Sequence, residues 1–142
     1  MRIYLSVPMI VNRDSSTAAV MAKAIRDSGN VVSSPWVLGP IEAHDLKVLN
    51  IFERDMRGAE ESDAILADVS SPSTGVGMEL MAAFKAGKKI IVAAKAGSTV
   101  SRMLLQMDGK QSIEFEDQAD LYAKLLPILR SLAEPRRAAS QK

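Results

Sequence analysis

The sequence predicts an α/β fold: one doubly wound, five-stranded parallel sheet, flavodoxin-like or Rossmann-like, with strand order 2-1-3-4-5 and helices on both faces. Three observations predict it. Short apolar runs alternate with stretches of helical periodicity, the pattern of a parallel sheet covered on both sides. The run Ala64-Ile65-Leu66-Ala67-Asp68-Val69 is apolar almost throughout, as a strand buried on both faces must be. Turn-forming residues such as Gly29-Asn30 stop the periodic stretches where a helix should end.

The first strand is expected over residues 2–7, Arg2-Ile3-Tyr4-Leu5-Ser6-Val7. A helix over 15–28 follows, with Ala18, Met21, Ala22 and Ile25 at helical spacing, and then a short strand over 31–33. The loop Ser34-Pro35-Trp36-Val37-Leu38-Gly39-Pro40 carries two prolines and a glycine, which break regular structure. A helix over 43–60 presents Val48, Ile51, Phe52, Met56 and Ala59 as its buried face, with Glu53, Arg54 and Arg57 toward solvent. After the third strand over 64–69 come a helix over 76–86, a strand over 90–94, a short helix from 97–98 to 106, and a weaker strand over 112–115. The last helix, over 118–133, contains Pro127, which is expected to kink or interrupt it. Residues 1–134 form one expected domain, and 135–142 a basic tail expected to be disordered.

Composition bounds the function. The chain has 142 residues, 47% of them hydrophobic, enough for one core without staples. It has no cysteine and a single histidine, His44, so thiolate chemistry is excluded and a His-rich or Cys-ligated metal site is not expected. A net charge of +1, with charges spread along the chain, gives no electrostatic reason for a nucleic-acid groove. No segment approaches the ~20 apolar residues of a membrane span, and nothing at the start reads as a targeting signal, so a cytoplasmic protein is expected.

The chemistry concentrates in Ser70-Ser71-Pro72-Ser73-Thr74-Gly75-Val76-Gly77-Met78-Glu79-Leu80, where the buried strand turns into a helix. Unpaired N–H groups at that helix start attract anions, the hydroxyls add donors, and Gly75 and Gly77 permit close approach of a ligand. The helix dipole there favours an ionised Glu79, as suits a nucleophile. The same residues also suit any helix start, through capping alone. Asp55 falls at i+7 in the apolar series of the preceding helix and points partly inward. Asp55 and Glu79 could supply the carboxylate pair of glycoside chemistry. Trp36 could stack on a nucleobase or pack over a core edge, and the methionines, among them Met21, Met56, Met78 and Met81, fit core and subunit-interface gaps.

Glu53-Arg54-Asp55, Ala64-Ile65-Leu66-Ala67-Asp68 and Pro72-Ser73-Thr74-Gly75-Val76-Gly77-Met78-Glu79-Leu80, in that order, resemble the 2'-deoxynucleoside 5'-monophosphate N-glycosidases of the nucleoside 2-deoxyribosyltransferase superfamily. The resemblance implies that Glu79 attacks the anomeric carbon and that Asp55 assists departure of the base and then handles water. It implies further that Ser73 binds the 5'-phosphate beside Gly75 and Gly77, and that Tyr4 lines the sugar pocket. Ser101 matches a phosphate-binding serine given by a neighbouring subunit, which implies a homodimer with a shared site. No metal or organic cofactor is implied; the partner is a small nucleotide, not a nucleic acid or a membrane. One departure stands out: where the family commonly has a Gly-Ser-x-Arg-Gly type loop, this chain has Val7-Pro8-Met9-Ile10-Val11-Asn12-Arg13-Asp14, so either Asn12 or Arg13 contacts the phosphate or the phosphate is held less tightly and the substrate differs. A deoxyribosyltransferase and a non-catalytic nucleotide sensor are the competing readings. Ser73, where transferases tend to carry an acid, favours the hydrolase.

Overall fold

The computed structural model describes residues 1–10, 13–39 and 50–134. Five strands, β1 (Arg2–Ser6), β2 (Val31–Val32), β3 (Ala64–Asp68), β4 (Lys89–Lys95) and β5 (Lys110–Phe115), form one parallel sheet in the order β2-β1-β3-β4-β5. This is the order the sequence predicts. Strand alternation divides the core in two: Ile3, Leu5, Leu66, Ile91 and Ala93 face one side, and Tyr4, Ile65, Ala67, Ile90 and Val92 the other.

The first side is covered by α1 (Ser15–Asp27) and α5 (Gln118–Ala133). Asp14 caps α1 by accepting from the Ser16 and Thr17 N–H groups, and Gly29 leaves the helix at φ +82°, a backbone conformation that favours glycine. α5 runs unbroken through Pro127, against expectation. The proline lies on the exposed side while Leu121, Leu125 and Leu129 are fully buried beneath it. Each such leucine contributes ~1.5–3 kcal/mol, which together outweighs the ~3 kcal/mol cost of an internal proline.

The second side is covered by α2 (Ile51–Glu61) and α3 (Thr74–Lys85), whose Ala59, Val76, Leu80 and Ala83 enter the core. Asn50 caps α2 by accepting from the Glu53 N–H at 3.1 Å. The expected beginning of that helix, and Val48 and His44 with it, lie outside the described residues. Phe52 does not join the buried face; it is 58% exposed. α4 (Arg102–Leu105) is shorter than the helix expected there, since Gly97 at φ +82° and the irregular backbone up to Ser101 delay its start. Among the described residues, no helix is long and apolar enough to cross a membrane.

Two connections hold the site in place. Ser34 Oγ accepts from the Leu5 N–H and donates to the Leu5 carbonyl, both at 2.8 Å, extending the short β2 and tying the 3-10 turn Pro35–Leu38 to β1. Ser70 Oγ accepts from the Lys95 N–H at 2.9 Å, so this hydroxyl fastens the β3 turn to β4 instead of pointing at a ligand.

Candidate active site

β1 and β3 are neighbours, and their C-terminal ends open into a cleft of about 570 Å³. Such switch points are where parallel sheets bind ligands. The elements following β1 supply Val7, Pro8, Met9 and Ile10; the 3-10 turn supplies Trp36; α2 supplies Arg54 and Asp55; and the start of α3 supplies Ser73, Gly75 and Glu79, with Tyr4 at the floor. The sequence-predicted Glu79, Asp55, Tyr4, Ser73 and Gly75 therefore converge on one cavity.

Ser73 is the N-cap of α3, its Oγ accepting from the Val76 N–H at 3.3 Å. Gly75 and Gly77 sit inside α3, and neither has a positive φ. A Cβ on Gly77 would meet nothing within 4 Å, and one on Gly75 only Glu79 Oε1 at 3.9 Å, so the protein's own packing does not require glycine at either. Gly77 does not line the cleft.

Glu79 differs from expectation in its charge. Burial is the largest influence on it, and its carboxyl is pushed up to about 7 from an ordinary 4.5. The neighbouring Asp55 charge pushes the same way; the Ser6 hydroxyl, the Tyr4 hydroxyl and Arg54 oppose. Tyr4 is wholly buried and its phenol is pushed well above its ordinary range, first by burial and then by the charges of Glu79 and Asp55. The Tyr4 hydroxyl and Ser6 Oγ stand near Glu79, yet neither closes a hydrogen bond of normal geometry.

Arg54 is not a solvated helix charge. Its Nε donates to Asp55 Oδ1 at 2.9 Å, and its guanidinium lies 4.4 Å from the centroid of the Trp36 ring. The Trp36 ring also meets Tyr4 edge-on, the centroids 6.1 Å apart. Trp36 thus lines the cleft and orients the cation beside Asp55.

Arg13 is elsewhere. Its Nη2 donates to the carbonyls of Val37 at 3.1 Å and Gly39 at 2.6 Å, which clamps the Trp36 turn, and it does not line the cleft. Asn12, the other residue expected to contact phosphate, lies outside the described residues. Ser101 is exposed before α4 and also stands apart from this cleft. Among the described residues, no group of three or more His, Asp or Glu is placed to hold a metal ion.

Sequence reasoning missed Gly58, although an isolated glycine inside a helix was a usable signal. A Cβ there would lie 2.7 Å from Tyr4 Cε2 and 3.1 Å from Cδ2, so α2 can close on the Tyr4 ring only through glycine. Gly58→Ala is expected to lose ~1–3 kcal/mol by overpacking, set against ~1 kcal/mol of better helix propensity. Urea unfolding checks the net loss.

A similar arrangement of sequence exists in known proteins. The chain is 33% identical over 110 residues to the Methanococcoides burtonii protein named "Putative 2'-deoxynucleoside 5'-phosphate N-hydrolase 1", covering 74% of this chain and 89% of the relative. It belongs to the 2'-deoxynucleoside 5'-phosphate N-hydrolase family. A Thermofilum pendens protein of the same name is 33% identical over 97 residues, covering 66% of this chain and 68% of the relative. No protein-family profile matches the chain. In fold, this N-hydrolase family member is similar to the CMP N-glycosidase of Clostridium botulinum, with a TM-score of 0.64 at 19% identity over 88% of this chain and 98% of that one. It is also similar to the 2-deoxyribosyltransferase of Bacillus psychrosaccharolyticus, with a TM-score of 0.60 at 22% identity over 88% and 96% of the two chains.

Proposed function

We propose that the protein hydrolyses the N-glycosidic bond of 2'-deoxynucleoside 5'-monophosphates, releasing free base and 2-deoxyribose 5-phosphate through a glutamyl-glycosyl intermediate. The observation that carries this reading is the meeting of Glu79 and Asp55 in one cleft whose rim is the N-terminus of α3. In the first step a Glu79 carboxylate oxygen bonds to the anomeric carbon as the bond to the base nitrogen breaks, and the Asp55 carboxyl gives its proton to the departing base. Water then attacks the same carbon, its proton passing to Asp55, and the Glu79 carboxylate leaves. Positive charge developing on the sugar is stabilised by the Glu79 carboxylate. Ser73, Thr74 and the first N–H groups of α3 are the groups suited to a 5'-phosphate.

A nucleophile held near 7 gives the activity an acid limb: kcat/KM rises with pH through about 7, as Glu79 loses its proton. We further propose a homodimer in which Ser101 serves the partner's site. The exposed Phe52, Met78 and Met81, on the outer groove between α2 and α3, give a second copy an apolar surface.

Release of free base from each deoxynucleoside monophosphate, the unphosphorylated nucleosides and the ribonucleotides tests the reading. Cleavage of a deoxynucleoside monophosphate, with nucleosides much poorer, is expected. Equal cleavage of nucleosides would remove the phosphate role of Ser73, and sugar transfer to an added second base would favour the transferase reading.

A further inference from the structure

β1 places two hydroxyls on the face that carries Glu79: side chains two residues apart share a side of the sheet, so Ser6 follows Tyr4 beneath α2 and α3. Ser6 is completely buried, sits opposite Ala67 in the β1–β3 register, and its Oγ has no hydrogen-bond partner among the described residues. An apolar residue of similar size would fill this position without leaving a polar atom unsatisfied. Serine there needs another reason.

We propose that Ser6 is a positioning residue for the nucleophile: its hydroxyl, buried behind the Glu79 carboxylate, donates to that carboxylate in its charged form and orients the attacking oxygen. The inference rests on the reading of Glu79 as nucleophile. Glu79 lines the cleft whereas Ser6 does not and is completely buried, so the cleft side of Glu79 is left to substrate. The other groups facing Glu79 are Tyr4 from β1 and Arg54 and Asp55 from α2. Of those that hold its charge in place, Ser6 has the largest effect, ahead of Tyr4 and Arg54. The same donor serves both steps of a two-step displacement, holding the carboxylate before attack and receiving it again as it leaves the sugar.

The test is the titration of Glu79 itself, followed without substrate by its infrared carboxyl band, with Glu79→Gln supplying the assignment. In Ser6→Ala the midpoint is expected to rise by about half a unit to one unit, and Ser6→Cys, a near-isostere with a weaker donor, should fall between. On the acid limb kcat/KM should drop about 3- to 10-fold, recovering at high pH. At about pH 4, where Glu79 keeps its proton, thermal stability of Ser6→Ala should match or exceed the parent, and above about pH 7 it should fall below it, because the buried charge has lost a donor. An unmoved midpoint in Ser6→Ala overturns the proposal. A moved midpoint in a protein that releases no base from any nucleotide supports the Ser6 contact and counts against the hydrolase reading alone.

Discussion

Glu79→Gln is expected to lose base release by about 10³-fold or more and, at about pH 8, to unfold at a higher temperature than the parent. The amide lacks the nucleophilic oxygen, which removes the chemistry, and it carries no buried charge, which changes the stability. Burial raises the Glu79 carboxyl to about 7 from 4.5, so in that window the folded protein holds a proton that the unfolded chain has released. Stability from this group is therefore fully present below about 4.5 and is lost as pH rises through about 7. Glutamine carries no charge to bury, and the variant should gain on the order of 1–3 kcal/mol above neutrality and nothing at low pH. Paired melting curves at about pH 4 and pH 8, with a base-release assay, check it. A carboxylate with only a capping role would show the opposite: activity retained and stability lost.

The second large effect is expected at Asp55. Asp55→Asn should lower kcat by about 10²–10⁴-fold, since amide nitrogen and oxygen cannot exchange the proton that leaving base and incoming water require. Asparagine can still accept from Arg54 Nε, which keeps the guanidinium over Trp36 and leaves the fold intact. A distinctive sign accompanies the loss. The Asp55 charge helps to raise Glu79, so its removal should move the acid limb of the residual activity to lower pH. A residual profile displaced to higher pH would show that Asp55 is not the charge facing Glu79.

The sheet was legible because β3 and the middle of β4 are apolar runs and parallel crossovers admit few orders. Glu79 and Asp55 could be placed for a similar reason: one lies in the opening turns of a helix that follows a buried strand, the other on the apolar series of the helix before it. Charge state was not legible. It depends on how deeply Glu79 is buried and on the balance between the Asp55 charge, which raises it, and the Ser6 and Tyr4 hydroxyls, which lower it, and no spacing in the sequence gives that balance. Arg54 resting on Trp36 joins residues from different elements with no sequence pattern between them, and no local rule anticipates the Arg13 hydrogen bonds to two loop carbonyls. Gly58 and Ser6 left faint signals, a glycine within a helix and a polar residue within a buried strand.

The central claim is that Glu79 forms the bond to the sugar. The most direct measurement is mass spectrometry of the acid-quenched Asp55→Asn variant during turnover of a deoxynucleoside monophosphate, in which resolution by water is slowed. The account predicts a 2-deoxyribose 5-phosphate adduct on the peptide containing Glu79. An adduct on any other residue, or turnover with Glu79 unmodified throughout, would contradict it.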